Sequence, residues 1–264
     1  MLLRNKNAVI YGAGGAIGGA VARAFAREGA KVFLTGRRIA TLEVVARAIN
    51  AVGGEAEVAA VDALDEAGIN LHLDNVVARH GKIDISFNAT SLPQQGVQGI
   101  PLVELPLENF LLPVSTYSQS YFLTAKAAAR HMVANGSGVI LMLTAAPSRM
   151  AAPLLGGMAA AWSAIEALTR GFAAELGAHG VRVICLRPDG IPETATIDVV
   201  FDLHAKGAGL PTRREFQAIM ESRTLLRRLP KLTEVANTAA FMASDQASAF
   251  TGNVVNLSCG SIVD

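Results

Sequence analysis

Cysteine is nearly absent from this 264-residue chain: only Cys185 and Cys259 occur, far apart and outside any C-x-x-C or Cys/His spacing. That argues against a disulfide scaffold or a structural zinc site and leads us to expect two free thiols in a reducing compartment. Neither sign of charge is in excess, with 23 Lys and Arg against 22 Asp and Glu. The chain therefore offers no electrostatic reason to expect a nucleic acid or an anionic membrane as partner, and a small molecule is the better expectation. No apolar stretch reaches the ~20 residues of a membrane span, and Met1 to Lys6 lead into a strand without an apolar signal core, so a cytoplasmic protein is expected. The five histidines, at 72, 80, 131, 179 and 204, form no H-E-x-x-H or H-x-H pair, so no metal is expected and most of them read as helix-surface residues. A G-x-S-x-G elbow and a thiol beside a histidine are both missing, which removes the usual signs of a hydrolase.

What is present is apolar residue: 51% of the chain is hydrophobic and 17% charged, a balance that suits a sheet buried on both faces. Short β-branched runs at 8–11, 32–35, 57–61, 83–88, 139–143, 181–186 and 254–257 alternate with longer helical patterns. Such alternation predicts an α/β chain with a three-layer, doubly wound, Rossmann-type fold around a seven-stranded parallel sheet, in one domain spanning 1–264. Ile17, Val21 and Phe25 recur at helical spacing up to Gly29. Leu42, Val45 and Ile49 do so up to Gly53 and Gly54, and Ile165, Leu168, Phe172 and Leu176 up to Gly177 or Gly180. Residues 190–230 break the rhythm with three prolines, three glycines and a cluster of arginines, and read as a mobile lid over the strand ends.

The first strand runs into Gly12-Ala13-Gly14-Gly15-Ala16-Ile17-Gly18, where a helix begins. A pyrophosphate rests on the first turn of such a helix only if no side chain covers the backbone amides, and the helix dipole adds favourable charge. Gly12 is expected to make the turn, Gly14 and Gly15 to let the ligand approach, and Gly18 to allow close helix packing. Where an NAD-binding domain places a carboxylate on the ribose hydroxyls, the second strand ends Thr35-Gly36-Arg37-Arg38. A guanidinium matches phosphate bidentately, so Arg37, with Arg38 beside it, is expected to hold the 2′-phosphate of NADP(H). For Asp62, after the third strand, two readings stand open: accepting from the adenine amino group, or capping the next helix.

These features resemble the short-chain dehydrogenase/reductase family almost end to end. Gly12 to Gly18 stand for its T-G-x-x-x-G-x-G, Asp62 for its adenine-binding Asp and Asn88-Ala89 for its N-A-G. Residues 139–144 stand for its fifth strand, Arg187-Pro188 for its P-G turn, and Phe250-Thr251-Gly252 for the approach to the last strand. Tyr11, Ala16, Thr90 and Asp189 depart from the family pattern, which marks an atypical branch. The resemblance implies an NADP(H)-linked oxidoreductase acting on a carbonyl or alcohol, with Ile17, Asn88, Ala89, Thr144 and Pro188 beside the cofactor. It also implies a homotetramer or homodimer built through two long helices at 108–134 and 158–178.

The family's chemistry uses a Ser that holds the substrate oxygen and a Tyr and Lys four residues apart, the Tyr moving the proton and the Lys lowering its pKa. The Ser position falls on Ala145; thirteen residues beyond stands Met158, and four further Trp162. None of these moves a proton, although 158 and 162 still share a helix face. The only tyrosines are Tyr11, Tyr117 and Tyr121, and Tyr117 occupies the family's helix Asn position, five residues before Phe122. Tyr117 is the candidate proton donor, reaching into the space Met158 leaves; the competing reading is an aromatic packing plug. Ser148 and Arg149 on the loop after the fifth strand read either as contacts to a polar substrate or as solvated loop residues, and the Trp162 indole is placed to donate to a ribose hydroxyl. A second functional reading is a catalytically inactive protein that uses the nucleotide-loaded fold as a sensor or assembly module.

Overall fold

Alternation along the strands decides which helices cover which face. In the computed structural model, which describes residues 1–263, the strands are β1 (Asn7–Tyr11), β2 (Lys31–Gly36), β3 (Glu55–Ala60), β4 (Ile85–Asn88), β5 (Gly138–Leu143), β6 (Val181–Pro188) and β7 (Val254–Leu257). The helices are α1 (Ala16–Arg27), α2 (Ile39–Asn50), α3 (Glu66–His80), α4 (Leu107–Ala134), α5 (Met158–Leu176), α6 (Ala195–Gly207), α7 (Arg213–Arg223) and α8 (Leu232–Ala243). All strand pairs are parallel, in the order β3-β2-β1-β4-β5-β6-β7. Successive side chains leave a strand on opposite faces. Ala8 and Ile10 accordingly join a core with Phe25 of α1, Ile49 of α2 and Ala239 of α8. Val9 and Tyr11 join a second core with Leu73 of α3, Tyr121 of α4 and Ile165 of α5. This is the expected three-layer, doubly wound arrangement.

Strand order reverses between β1 and β4, and such a switch point opens a crevice beyond the carboxyl ends of the strands. Residues 190–230 are largely helical: Thr194 caps α6 by accepting from the Ile197 amide, and Thr212 caps α7 by accepting from the Glu215 amide. Three expectations need correction. Strand β3 starts at Glu55 rather than 57, β4 starts at Ile85 rather than 83, and β6 continues to Pro188 rather than 186. Among the described residues no helix is long and apolar enough to cross a membrane.

Tyr11 ends β1 fully buried, and its hydroxyl has no hydrogen-bond partner among the described residues. Burial alone drives its pKa upward, because a phenolate cannot be solvated there. An uncompensated buried hydroxyl costs stability, so Tyr11→Phe should raise the unfolding free energy by on the order of 1 kcal/mol in a urea titration. A destabilised variant would reveal a solution partner for the hydroxyl.

Candidate functional site

The crevice begins where β1 ends. Gly12 has φ +72°, and a Cβ there would lie 2.6 Å from the Ala89 carbonyl oxygen, so the turns after β1 and β4 touch backbone to backbone. A Cβ on Gly18 would lie 2.4 Å from the Gly12 carbonyl oxygen, which lets α1 start directly against the turn. The N-cap of α1 is Gly15; no side chain caps the helix and no acid stands in its first turn. Its leading amides are left for an anion. Gly15, Ala16 and Ile17 border the main cavity.

A Cβ on Gly14 would lie 2.3 Å from Thr41 Oγ1, and Thr41 Oγ1 donates to the Arg38 carbonyl at 2.8 Å. The Ala13 amide donates to the Thr35 carbonyl at 3.1 Å. The glycine turn and the Arg37-Arg38 corner therefore abut, with both arginines exposed. Asp62 is also exposed, and its Oδ1 accepts from the Leu64 amide at 3.0 Å. The side-chain cap of α3 is Asp65, accepting from the Ala67 amide, so the capping reading of Asp62 is corrected. Asn88 is buried: its Nδ2 donates to Ser120 Oγ and Thr124 Oγ1 of α4, and its Oδ1 accepts from the Thr90 amide and hydroxyl. It ties β4 to α4.

A cavity of about 440 Å³ opens from this turn toward α6 and α7. Ala89, Thr144, Ala145, Met158, Trp162 and Pro188 all border it, together with Tyr117 and Tyr121. The three residues aligned with the family's Ser, Tyr and Lys thus face one space. Tyr121 donates toward the Leu143 and Asn88 carbonyls, at 2.9 and 3.1 Å. No acceptor among the described residues takes the Tyr117 hydroxyl hydrogen. Burial pushes the Tyr117 pKa up to about 12, with the Leu92 backbone amide acting the other way. Its ring meets that of Tyr121 edge-on, with centroids 6.2 Å apart.

Two features escaped the sequence reading. Glu166, one helical turn past Trp162, is buried and its Oε1 accepts from Ser148 Oγ at 2.5 Å and Thr144 Oγ1 at 3.3 Å, while Arg187 Nη1 lies 3.5 Å away. Ser148 is thereby turned inward, whereas Arg149 is exposed. His204 is buried and borders the cavity, unlike the surface residue expected. Burial drives its pKa down to about 4, so the ring is neutral at pH 7.

Crevice, cradle and cavity define an α/β protein of the dinucleotide-binding, doubly wound class. A sequence model of the family described as enoyl-(acyl carrier protein) reductase matches residues 12–261. An uncharacterized oxidoreductase, YxbG, of Bacillus subtilis (strain 168) is 33% identical over 259 residues, covering 98% of this chain and 91% of that protein. Gluconate 5-dehydrogenase of Gluconobacter oxydans (strain 621H) is 28% identical, over 98% of this chain and 95% of its own. Among solved structures, NAD+-bound xylitol dehydrogenase superposes with a TM-score of 0.91 at 25% identity, covering 97% of this chain and 99% of that one. A gluconate 5-dehydrogenase from Burkholderia cenocepacia J2315, in complex with NADP and tartrate, gives 0.85 at 26%, covering 98% and 96%. The chain belongs to the short-chain dehydrogenase/reductase family of oxidoreductases.

A hydrogen bond to a charged group is worth about 1.5–3 kcal/mol. Glu166→Leu removes the acceptor of Ser148 and Thr144 and should lower stability by about that amount in a denaturant titration; an unchanged midpoint would show that the two hydroxyls find other partners.

Proposed function

We propose that this chain is a cytoplasmic, NADP(H)-dependent oxidoreductase acting on a carbonyl or alcohol carried by an apolar small molecule, with Tyr117 as the proton donor. The observation that carries the cofactor reading is the contact between the glycine turn and the Arg37-Arg38 corner, at the end of a strand that offers no carboxylate to a ribose. The cradle fits the group: Gly12 and Gly15 leave the α1 amides uncovered for a pyrophosphate, and Arg37 with Arg38 supplies the guanidinium for a 2′-phosphate. Asp62 has a second carboxylate oxygen for the adenine amino group. Ala89 shapes the floor with Asn88 holding it from behind, Ile17, Thr144 and Pro188 shape the flanks, and Trp162 offers an indole N–H to a ribose hydroxyl. When bound, the nicotinamide supplies the hydride. Residues 190–230 act as the lid that closes α6 and α7 over the substrate and excludes water. Exposed Leu107, Leu111, Leu112 and Phe122 on α4 support a homodimer or homotetramer across α4 and α5.

The lining also favours a second reading. Ala145, Met158 and Trp162 put no proton-transferring group where the family resemblance places one, which is what a nucleotide-loaded sensor or assembly module would retain. Calorimetry with NADPH and NADH, followed by turnover against a carbonyl and alcohol panel, separates the two: tight binding without turnover selects the sensor.

Arg37→Asp should weaken NADPH far more than NADH, by on the order of tenfold or more for a lost charge-assisted contact. Equal loss for both would remove the phosphate assignment.

A phenol with a pKa near 12 stays protonated through neutral pH and donates well, but only about one part in 10⁵ is phenolate at pH 7. Reduction should therefore not lose its proton donor between pH 6 and 9, whereas alcohol oxidation should climb about tenfold per pH unit as the base form appears. Tyr117→Phe should cut reduction by about 10²- to 10⁴-fold. Full turnover in that variant would leave the residue a packing plug.

A further inference from the structure

The cavity wall is apolar over most of its extent, with Leu154, Val200, Phe201, Leu210, Phe216 and Met220 among its side chains. Thr144, Asp189, Thr194 and Arg223 add polar groups to the wall, and one connected polar line runs through it. Gln94 Nε2 donates to the Leu92 carbonyl at 2.6 Å, Gln98 Nε2 donates to Gln94 Oε1 at 2.6 Å, and His204 Nε2 lies 3.0 Å from Gln98 Oε1. Gln94, Gln98 and His204 are all buried, and all three border the cavity.

The direction of this line is fixed at its far end. A backbone carbonyl only accepts, so Gln94 must turn its NH₂ toward Leu92 and its oxygen toward Gln98. Gln98 must then meet that oxygen with its own NH₂, which aims its oxygen at His204. An oxygen that only accepts requires a proton on Nε2, and the neutral imidazole consequently carries a bare lone pair on Nδ1. Among the described residues Nδ1 has no protein partner.

The ring is also held in place. A Cβ on Gly99 would lie 2.8 Å from the Leu203 carbonyl oxygen, and one on Gly207 would lie 2.7 Å from both the Gly99 oxygen and Leu154 Cδ1. The loop at 97–99 and the chain at Leu154 therefore clasp α6 on either side of His204. Phe216 of α7 covers the imidazole, with ring centroids 5.3 Å apart, and itself meets Phe201 at 5.3 Å.

We infer that the cavity takes a largely apolar ligand marked by a hydroxyl group, and that His204 is the residue that selects it, Nδ1 accepting the hydroxyl hydrogen. The apolar wall supplies affinity without direction, while the Nδ1 lone pair fixes which way round the ligand lies against α6. A carbonyl or ether oxygen at the same place meets lone pair against lone pair, so the preference is for a donor. His204 stands on α6, whereas Tyr117 and Met158 stand on α4 and α5. The marked hydroxyl is accordingly the one under α6.

This inference rests on the cavity being the substrate site of the proposed oxidoreductase, but its test needs neither nucleotide nor turnover. ¹⁵N-labelled protein, with the His204 signals assigned by their loss in His204→Phe, should show the Nε2–H tautomer at pH 7; an Nδ1–H ring overturns the inference. In calorimetry without nucleotide, 4-tert-butylcyclohexanol should bind about tenfold tighter than its methyl ether. In His204→Phe that ratio should fall to about one while the ether still binds. Gln98→Leu frees the tautomer, so 4-tert-butylcyclohexanone should gain on the alcohol; this variant and the ¹⁵N spectrum decide the matter if His204→Phe does not fold. Equal binding of alcohol and ether by the wild type, or no binding of any probe, overturns the ligand class. A protein that distinguishes alcohol from ether yet takes up no NADPH would keep this inference and remove the cofactor reading.

Discussion

The site hangs on one backbone contact, the left-handed turn at Gly12 pressed against the Ala89 carbonyl. Strands β1 and β4 are neighbours whose chains leave toward opposite faces, so their exits must cross at close range, and only a residue without Cβ permits it. From that crossing the rest follows by direct contact. Gly18 starts α1 on the Gly12 carbonyl, which turns the first amides of the helix to the crevice. Asn88, just before Ala89, grips Ser120 and Thr124, and this sets the rotation of α4 that brings Tyr117 and Tyr121 to the cavity. A bulkier residue at Gly12 would part these strands and misplace the helix amides and the phenols together.

The sheet was legible because its central strands β1, β2, β4, β5 and β6 are buried along most of their length. Two of the three misread strand ends are those where polar residues belong to the ladder, the third being β4, whose ladder starts only after Asp84. Glu55 and Glu57 of β3 are held by Lys31 of the neighbouring strand, at 3.7 and 2.8 Å, so charge pairing does there what apolar burial does elsewhere. Arg187 extends β6 because its buried guanidinium lies against Glu166, a partner that no local pattern reveals. Helices α6 and α7 were hidden by prolines and glycines that lie between them and beyond their ends, Gly207 alone standing inside α6 as its last residue. Their caps were nevertheless visible: Thr212 with Glu215 has the spacing of a capping box, and Thr194 opens the stripe Ile197, Phe201, His204.

Of the site, the glycine cradle, the paired arginines and the convergence of residues 145, 158 and 162 were readable, because each depends on an order of elements along the chain. His204 and Glu166 were not. A lone histidine in a helix carries no motif, and its role emerges only when the chain from Leu92 through Gln94 and Gln98 is seen to end on it, across 106 residues. Spacing still held a clue: His204 falls three residues after Phe201 and seven after Ile197, on the inward stripe rather than the solvent face.

Burial also sets what kind of ligand suits the cavity. An apolar wall disfavours the charged form of every group it encloses, whichever sign that form carries. The Tyr117 phenol moves up to about 12, the His204 imidazole down to about 4, and the Asp189 carboxyl shifts upward from its ordinary value. Across the physiological range the phenol and the imidazole are therefore both uncharged, one with a hydrogen to give and the other with a lone pair to fill. A charged ligand would meet no compensating ion from either of these two, and among the described residues only Arg223 and Asp189 at the cavity border could supply one. A neutral one gives up far less water. The same desolvation that makes Tyr117 a poor base thus keeps the His204 imidazole a neutral acceptor at pH 7.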